Sequence, residues 1–223
     1  MYEFTLLRHG ESQGNLENKH QGQSEFPITQ LGRRQAQALA DHWLHENRHF
    51  DRVLSSPLQR ARQTAEIISQ ALGAPIEFDP IFAERYLGAL TGLTHAEGSK
   101  VVPPPSFLNP YKPYGNTGEG QWQLYLRAGA ALHKLVQHPD GNYLVVSHRG
   151  FLGMLMYAIL GLAPHANFQG PRFHFMNTGF ARLTYDRSKH QWRMFAFNDL
   201  YHLHTLVREP AVMEDAGVVT DSS

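Results

Sequence analysis

Apolar and polar residues alternate at the start of the chain in a way that is typical of a β-strand. Tyr2, Phe4 and Leu6 are apolar, and the residues between them are polar. A period of two residues is the repeat of a strand, whose successive side chains point to opposite faces. An arginine, a histidine and a glycine follow, and the glycine is expected to break the strand. The pattern therefore predicts a first strand that ends at two polar side chains.

Apolar residues return later at helical spacing, with start and stop signals beside them. Thr29 is expected to cap the first helix. Ser56 is expected to cap the second helix, with Pro57 at its first position and Gly73 at its end. The predicted helices cover about 30–44, 57–72, 122–136 and 150–160, and the further predicted strands are Arg52–Ser55, Ile76–Phe78, Tyr143–Ser147, Phe180–Tyr185 and Trp192–Phe197.

This order of elements favours an α/β fold with a mostly parallel sheet and a closing β-hairpin. Ser12–Phe26 has no sustained period and is expected to be a long loop. Leu90–Gly120 is rich in proline and is expected to be an insertion without regular structure. Without a linker or an internal repeat, one domain is expected over residues 1–208, with the insertion at about 90–120 and a flexible tail at 209–223.

Composition narrows the classes of function. The chain has 223 residues, and its 20 basic and 20 acidic side chains cancel. No overall field therefore favours a nucleic acid or an anionic membrane surface as a partner. The absence of cysteine excludes disulfides and thiolate chemistry. The sequence shows neither a secretion signal nor a long apolar run, so a cytoplasmic protein is expected.

Candidate chemistry lies where strands end or helices start. Arg8 and His9 follow the first strand, and His148 follows a central strand. Arg60 lies in the opening turn of a helix, whose positive dipole end adds to the attraction for an anion. The carboxyl ends of parallel strands meet at one edge of a sheet, so these side chains are expected to converge on one pocket. Taken alone, the Arg-His pair is equally typical of a solvated loop.

Several motifs decide between these readings. They are Leu7–Ser12 with Asn15, Gln21–Gly22, Pro27–Thr29 with Gly32, Ser55–Ala65, Glu84–Arg85 with Gly88 and Gly92, Val146–Gly150, and Asn198–Asp199 with His202–Leu203. In type, order and spacing they resemble the histidine phosphatase superfamily, which contains cofactor-dependent phosphoglycerate mutases and many phosphatases. The resemblance covers roughly residues 1–204 and implies a phosphoglycerate mutase-like fold, a three-layer α/β/α sandwich.

The resemblance also implies roles for the candidate residues. His9 is implied to be the nucleophile and to form a phosphohistidine. Arg8, Arg60 and His148 are implied to surround the phosphoryl oxygens, and Glu84 to protonate the departing oxygen and later to deprotonate water. No cofactor and no metal is expected. Further contacts to the substrate or its phosphate are expected from Asn15, Gln21, Gly22, Arg85 and Arg149.

The insertion bears on the choice between hydrolysis and a mutase reaction. The mutases of this family hold a second cationic cluster partly in this segment. Here its only cations besides histidine are Lys100 and Lys112, and it is rich in aromatic residues and proline. We therefore expect a phosphatase for a small phosphorylated substrate that has an apolar or planar part. A mutase remains the alternative, because Arg85 and Arg149 offer a second anion site.

Two other classes stay open. A phosphate-binding module without turnover would lack the nucleophile or the acid, and this chain retains both. A metalloprotein would use His42 with His45, or His202 with His204 on an extended segment, and neither pair has a third ligand nearby in the sequence. A homodimer is also considered, and nothing in the sequence decides it.

Overall fold

A six-stranded sheet runs through the centre of the protein. The computed structural model describes residues 1–103 and 105–206. In chain order, strands β1 to β6 are Tyr2–Arg8, Arg52–Ser55, Ile76–Phe78, Asn142–Ser147, Phe180–Asp186 and Gln191–Asp199. Their spatial order is β3-β2-β4-β1-β5-β6. The first four strands in this order are parallel, and β5 and β6 are antiparallel to their neighbours, which confirms the mostly parallel sheet and the closing hairpin.

Helices cover both faces of the sheet. Helices α1 to α6 are Gln13–Leu16, Gln30–His45, Gln59–Leu72, His95–Val101, Gln121–Leu135 and Arg149–Ile159, and short 3-10 helices lie at Pro80–Phe82, Gly88–Leu90, Ala166–Phe168 and Tyr201–Thr205. The apolar stripes of α2 and α3 form one core with residues of one sheet face. Those of α5 and α6 form a second core with the opposite face. The predicted three-layer α/β/α sandwich is confirmed.

Strand β1 contributes side chains to both cores. Tyr2, Phe4 and Leu6 pack in the core under α5 and α6, whereas Leu7 packs in the core under α2 and α3. Thr5 between them is fully buried, and the guanidinium of Arg48 donates to its hydroxyl at 3.3 Å. Because both faces are covered, this strand holds the residues that follow it in a fixed place at the edge of the sheet.

Two helix ends match their predicted signals. The Oγ1 atom of Thr29 accepts the N–H of Gly32 at 3.0 Å and so caps α2. Gly73 ends α3 with a φ of +67°, a conformation that glycine adopts without steric cost.

The predicted cap at Ser56 is wrong, because α3 begins at Gln59. The N–H of Ser56 instead donates to the carbonyl of Val146 at 3.0 Å and continues the pairing of β2 with β4. The N–H of Gln59 is bound by the carboxylate of Glu25 at 2.7 Å. A side chain from a distant loop therefore accepts a backbone N–H at the start of α3. The hydroxyl of Ser56 does not cap this helix and can contact another residue.

The two segments expected to lack regular structure each contain a short helix. Ser12 caps α1 within the polar loop, and its backbone N–H is bound by the side chain of Asn15. In the insertion, Thr94 and Glu97 form a capping box that starts α4. This reciprocal pair of hydrogen bonds stabilises one or two turns locally, and the prolines come only after the helix ends. Ser12–Phe26 is a loop apart from α1, whereas the expectation that Leu90–Gly120 lacks regular structure is wrong over α4.

The tail predicted at 209–223 lies outside the described residues, as does Pro104. The division into one domain with an insertion stays a prediction. Among residues 1–103 and 105–206, no helix has the length and apolar character required to cross a lipid bilayer.

Candidate active site

The ends of three neighbouring strands bring the candidate residues together. Arg8 and His9 come at the end of β1, and His148 follows β4, its parallel neighbour. Ser56 follows β2, on the other side of β4. The rings of His9 and His148 lie with their centroids 5.1 Å apart. Arg8, His9, Arg60 and His148 are each at most 8% exposed. The structure therefore brings these side chains together at a buried site.

The imidazole of His9 is held in one tautomer. Its Nδ1 atom lies 2.7 Å from the carbonyl oxygen of Gly10. Because a carbonyl only accepts, Nδ1 carries the proton and Nε2 keeps its lone pair. Burial and the guanidiniums of Arg60 and Arg8 hold the pKa of His9 well below its usual range. The ring is therefore neutral at physiological pH, with a nucleophilic nitrogen.

Two cations flank the histidine pair. Nη1 of Arg8 donates to the carbonyl of Phe175 at 2.9 Å. Nη2 of Arg60 donates to the carbonyl of Gly22 at 2.7 Å, and its Nη1 to that of Ser24 at 2.9 Å. Burial lowers the pKa of each arginine to about 10, so both stay charged at neutral pH. Within the described part of the chain, the Nε atom of each is buried and has no hydrogen-bond partner.

Ser56 orients His148. The hydroxyl of Ser56 lies 2.8 Å from Nε2 of His148 and accepts the N–H of Leu58 at 3.3 Å. This contact holds the ring in place, and Nδ1 of His148 is buried with no hydrogen-bond partner in the described part of the chain. Burial, with Arg60, His9 and Arg8, holds the pKa of His148 well below its usual range. The ring of His148 is thus neutral at physiological pH.

Glu84 lies at the N-terminus of α6, the helix that directly follows His148 in the chain. Its carboxylate accepts the N–H groups of Gly150 and Phe151, both at 3.0 Å, and its own neighbour Arg85 donates its N–H at 2.7 Å. Gly150 is required for this approach, since a Cβ at that position would lie 2.6 Å from Oε1 of Glu84. The expected acid is therefore fixed at the helix start that follows His148.

The polar loop places Asn15, Gln21 and Gly22 beside this pocket. Ser12 links the first two, because its N–H is bound by Oδ1 of Asn15 at 3.1 Å and its hydroxyl donates to Oε1 of Gln21 at 2.7 Å. Gly22 contributes the carbonyl that holds Arg60. The loop therefore positions the guanidinium of Arg60, and Asn15 is joined to the support of His9 through Nδ2 of Asn177, which lies 3.2 Å from its Oδ1.

Metal ligation finds no support among the described residues. No group of three or more histidine, cysteine, aspartate or glutamate side chains there is arranged to hold an ion. His202 and His204 lie on the 3-10 helix Tyr201–Thr205, so the expected extended segment is wrong. Nε2 of His202 lies 2.9 Å from the hydroxyl of Thr178.

Comparison with known proteins assigns the family. The family model described as histidine phosphatase superfamily (branch 1) matches residues 4–199. The chain belongs to the histidine phosphatase superfamily. The resemblance inferred from the motifs is confirmed.

Relatives within the superfamily carry both mutase and phosphatase names. A probable phosphoglycerate mutase GpmB from Photorhabdus laumondii is 33% identical over 219 residues, covering 92% of this chain and 96% of the relative. Among solved structures, a mycobacterial glucosyl-3-phosphoglycerate phosphatase has a TM-score of 0.74 at 26% identity, over 89% of this chain and 99% of that one. The Entamoeba histolytica phosphoserine phosphatase in complex with 3-phosphoglyceric acid has a TM-score of 0.75 at 25% identity, over 91% and 100%.

This superfamily member also contains supporting residues that sequence reasoning missed. The carbonyl of His9 accepts Nδ2 of Asn177 at 3.0 Å and the N–H of Thr178 at 3.3 Å. Thr178 has a φ of +54°, which is unusual for a β-branched residue. The hydroxyl of Thr64 accepts the N–H of Gly10 at 3.0 Å. The Asn-Thr-Gly sequence that begins at Asn177 is typical of a turn. Its contact with His9 could not be predicted from the sequence, because the two lie some 170 residues apart along the chain.

The remaining two predicted residues lie at the edge of the pocket. Nε of Arg85 donates to the carbonyl of Glu119 at 2.7 Å, and its guanidinium lies 4.3 Å from the ring centroid of Tyr114. Arg85 also lines a cavity of about 410 Å³ whose other lining residues come mostly from the insertion. Arg149 is exposed, and its Nη2 lies 3.0 Å from Nδ1 of His174.

Proposed function

We propose that this protein is a phosphatase that hydrolyses phosphomonoesters through a phosphohistidine at His9. Nε2 of His9 attacks phosphorus and the ester P–O bond breaks, while Glu84 gives a proton to the departing oxygen. In the second step water attacks phosphorus and gives a proton to Glu84. The P–N bond then breaks, and inorganic phosphate leaves with His9 and Glu84 restored.

One observation carries this proposal: the hydrogen bond from Nδ1 of His9 to the carbonyl of Gly10. It leaves the lone pair on Nε2, and the low pKa of the ring keeps that lone pair free of a proton at neutral pH. A histidine that only bound phosphate would be expected to donate a proton to it. A buried neutral imidazole between two guanidiniums fits a nucleophile better.

The surrounding groups fit the charge that develops during transfer. We assign Arg8, Arg60 and His148 to the phosphoryl oxygens, with Asn15, Gln21 and Gly22 shaping the same pocket. These donors are held by the protein before substrate arrives, so little reorganisation is required in the transition state. Removing one such donor is expected to lower kcat about 100-fold to 1000-fold.

Glu84 changes its protonation during the proposed cycle. In the free protein three backbone N–H groups hold its carboxylate as an acceptor. In the proposed cycle this carboxyl group gives a proton to the departing oxygen and takes one back from water.

Hydrolysis is favoured over mutase chemistry by the insertion, whose only cations besides histidine are Lys100 and Lys112. Phosphatases among the solved relatives agree with this choice. The names of the curated relatives keep phosphoglycerate mutase as the second candidate. Phosphate release from a panel of phosphomonoesters, measured beside 3-phosphoglycerate isomerisation, decides between them. Isomerisation of 3-phosphoglycerate that is faster than hydrolysis would refute the phosphatase proposal.

Three further expectations stay predictions: independence from metals, a cytoplasmic location and a homodimer. Activity that survives a chelator is the expected result for the first, and sedimentation of the purified protein tests the third.

A further inference from the structure

The last motif of the sequence, which contains Asn198 and His202, has no role in the chemistry proposed above. Asn198 belongs to β6, and His202 lies on the 3-10 helix that follows it. Both side chains contact one turn, residues 176–179, whose ends are joined by a backbone hydrogen bond of 2.9 Å. Oδ1 of Asn198 accepts the N–H of Met176 at 2.7 Å, and Nε2 of His202 lies 2.9 Å from the hydroxyl of Thr178. The motif therefore holds this turn at two points.

The turn 176–179 in turn holds the backbone of the proposed nucleophile. The N–H of Thr178 donates to the carbonyls of Arg8 at 3.1 Å and of His9 at 3.3 Å. Nδ2 of Asn177 donates to the same carbonyl of His9 at 3.0 Å. The end of β1 is therefore fixed from outside the strand, by donors that belong to this turn.

The hydrogen bond between His202 and Thr178 has a definite direction. The hydroxyl of Thr178 donates to the carbonyl of Asn177 at 2.7 Å. A hydroxyl has one proton, so the oxygen of Thr178 accepts from the ring, and Nε2 of His202 carries a proton. The ring is 1% exposed, and burial lowers its pKa to about 4. At neutral pH His202 is therefore an uncharged donor to Thr178.

The conformation of Thr178 requires such support. Its φ of +54° lies in the left-handed region, where a β-branched residue is strained. Thr178 is also fully buried, so water would not readily replace a lost donor at its hydroxyl. Without His202, the strain and the lost hydrogen bond both favour a movement of the turn. The donors to the carbonyl of His9 would move with it.

We infer that His202 is a positioning residue for phosphoryl transfer: by holding the hydroxyl of Thr178 it fixes the turn 176–179, and through that turn the backbone of His9. This inference rests on the proposed phosphatase function and adds a residue that touches neither substrate nor reacting atoms. Its effect falls on the alignment of Nε2 of His9 with phosphorus. Alignment of the nucleophile governs kcat, whereas the arginines that bind the phosphoryl group are held by other carbonyls.

Substitution of His202 separates this role from a general contribution to stability. With 4-nitrophenyl phosphate, His202→Leu should lower kcat about 10-fold and leave KM within about 2-fold, since a shift of less than 1 Å costs less than the 100-fold of a full ångström. His202→Gln should keep kcat within about 3-fold of wild type, because its amide N–H can take the place of Nε2–H. His204→Leu is the matched control, on the same 3-10 helix and exposed, and should leave kcat within about 2-fold.

A second variant removes the same hydrogen bond from its other end. Thr178→Val keeps the shape of the side chain and deletes the hydroxyl, so it should lower kcat to about the same extent as His202→Leu. It also keeps the test valid if His202→Leu does not fold. Because both substitutions act through one contact, the double variant should lose little more than either single variant. Losses that simply multiply would show that His202 does not act through Thr178.

Amide hydrogen exchange, followed by NMR, keeps the test independent of turnover. The N–H of Thr178 should exchange about 10-fold faster in His202→Leu than in wild type, and within about 3-fold of wild type in His202→Gln and His204→Leu. Unchanged exchange and kcat in His202→Leu, or equal losses in the leucine and glutamine variants, overturn the positioning role. A protein that releases no phosphate from any ester refutes the phosphatase proposal instead, and the exchange rates still decide whether His202 holds the turn.

Discussion

The contact between Gly150 and Glu84 offers a way to move the proposed acid without removing it. In a Gly150→Ala variant the new Cβ would lie 2.6 Å from Oε1 of Glu84, 3.2 Å from Cδ and 3.4 Å from Oε2. The atom that it meets is the end of a flexible side chain. The carboxylate is therefore expected to withdraw from the start of α6 while the backbone stays in place.

The size of the displacement sets the expected effect. Oε1 must retreat from 2.6 Å to an ordinary contact of 3.4 Å, which is a movement of 0.8 Å. A misplacement of about 1 Å in a catalytic group costs about 100-fold in rate. We expect a loss of about 30-fold to 100-fold in kcat/KM for an alkyl ester. The free energy of unfolding should change by less than about 1 kcal/mol, because alanine favours a helix while the weakened contacts to Glu84 oppose it.

Two substrates with different leaving groups separate proton donation by Glu84 from its other effects on the rate. The leaving group of sn-glycerol 3-phosphate requires a proton, whereas 4-nitrophenyl phosphate loses a stable anion. Because kcat/KM reports only the steps up to P–O cleavage, the later attack of water does not enter it. Gly150→Ala should therefore lower kcat/KM strongly for the alkyl ester and by less than about 5-fold for the nitrophenyl ester.

Gly153→Ala in the same helix is the control, since its new Cβ would meet only the carbonyl of Phe173, at 3.5 Å. It should behave as wild type with both esters. Equal losses with the two esters, or an unchanged rate for the alkyl ester in Gly150→Ala, would refute the role of Glu84 as the acid.

Two further substitutions probe the groups behind the histidine pair. Ser56→Ala removes the partner of Nε2 in His148, so the ring is no longer held in place, and kcat/KM for 4-nitrophenyl phosphate should fall about 10-fold with little change in fold. His202→Gln tests linkage between pH and stability. Burial lowers the pKa of His202 from 6.5 to about 4, so the unfolded chain binds the proton first as pH falls. Denaturant titrations should show that wild type loses about 2 kcal/mol more than the variant between pH 7 and pH 4.5, and equal losses would contradict this.

The chemistry of this site was visible in the sequence because strand ends define it. Arg8 and His9 follow an alternating strand and His148 follows an apolar one, so a parallel sheet must bring them to one edge. Glu84 required the family resemblance, since no local pattern distinguishes it from a solvated carboxylate. Its three backbone donors come partly from α6, which lies 65 residues later in the chain.

Contacts with distant partners explain why the role of Ser56 was misjudged and why Asn177 and Thr178 were missed. Ser56 has the local signature of a helix cap, but the pairing with Val146 and the contact with His148 take its backbone and its hydroxyl. Asn177 and Thr178 support the backbone of His9 only after β5 pairs with β1. By contrast, the helix α4 was predictable in principle, because Thr94 and Glu97 form a local capping box.

The phosphohistidine at His9 is the central claim, and rapid-quench labelling tests it most directly. Wild-type protein mixed with a ³²P-labelled phosphomonoester should form an acid-labile, base-stable phosphoenzyme within the first turnover. The label should lie on Nε2 of His9, because Nδ1 is occupied by the carbonyl of Gly10. The His9→Ala variant should form no label and release no phosphate. A label on another residue, or full phosphate release by His9→Ala, would contradict the account.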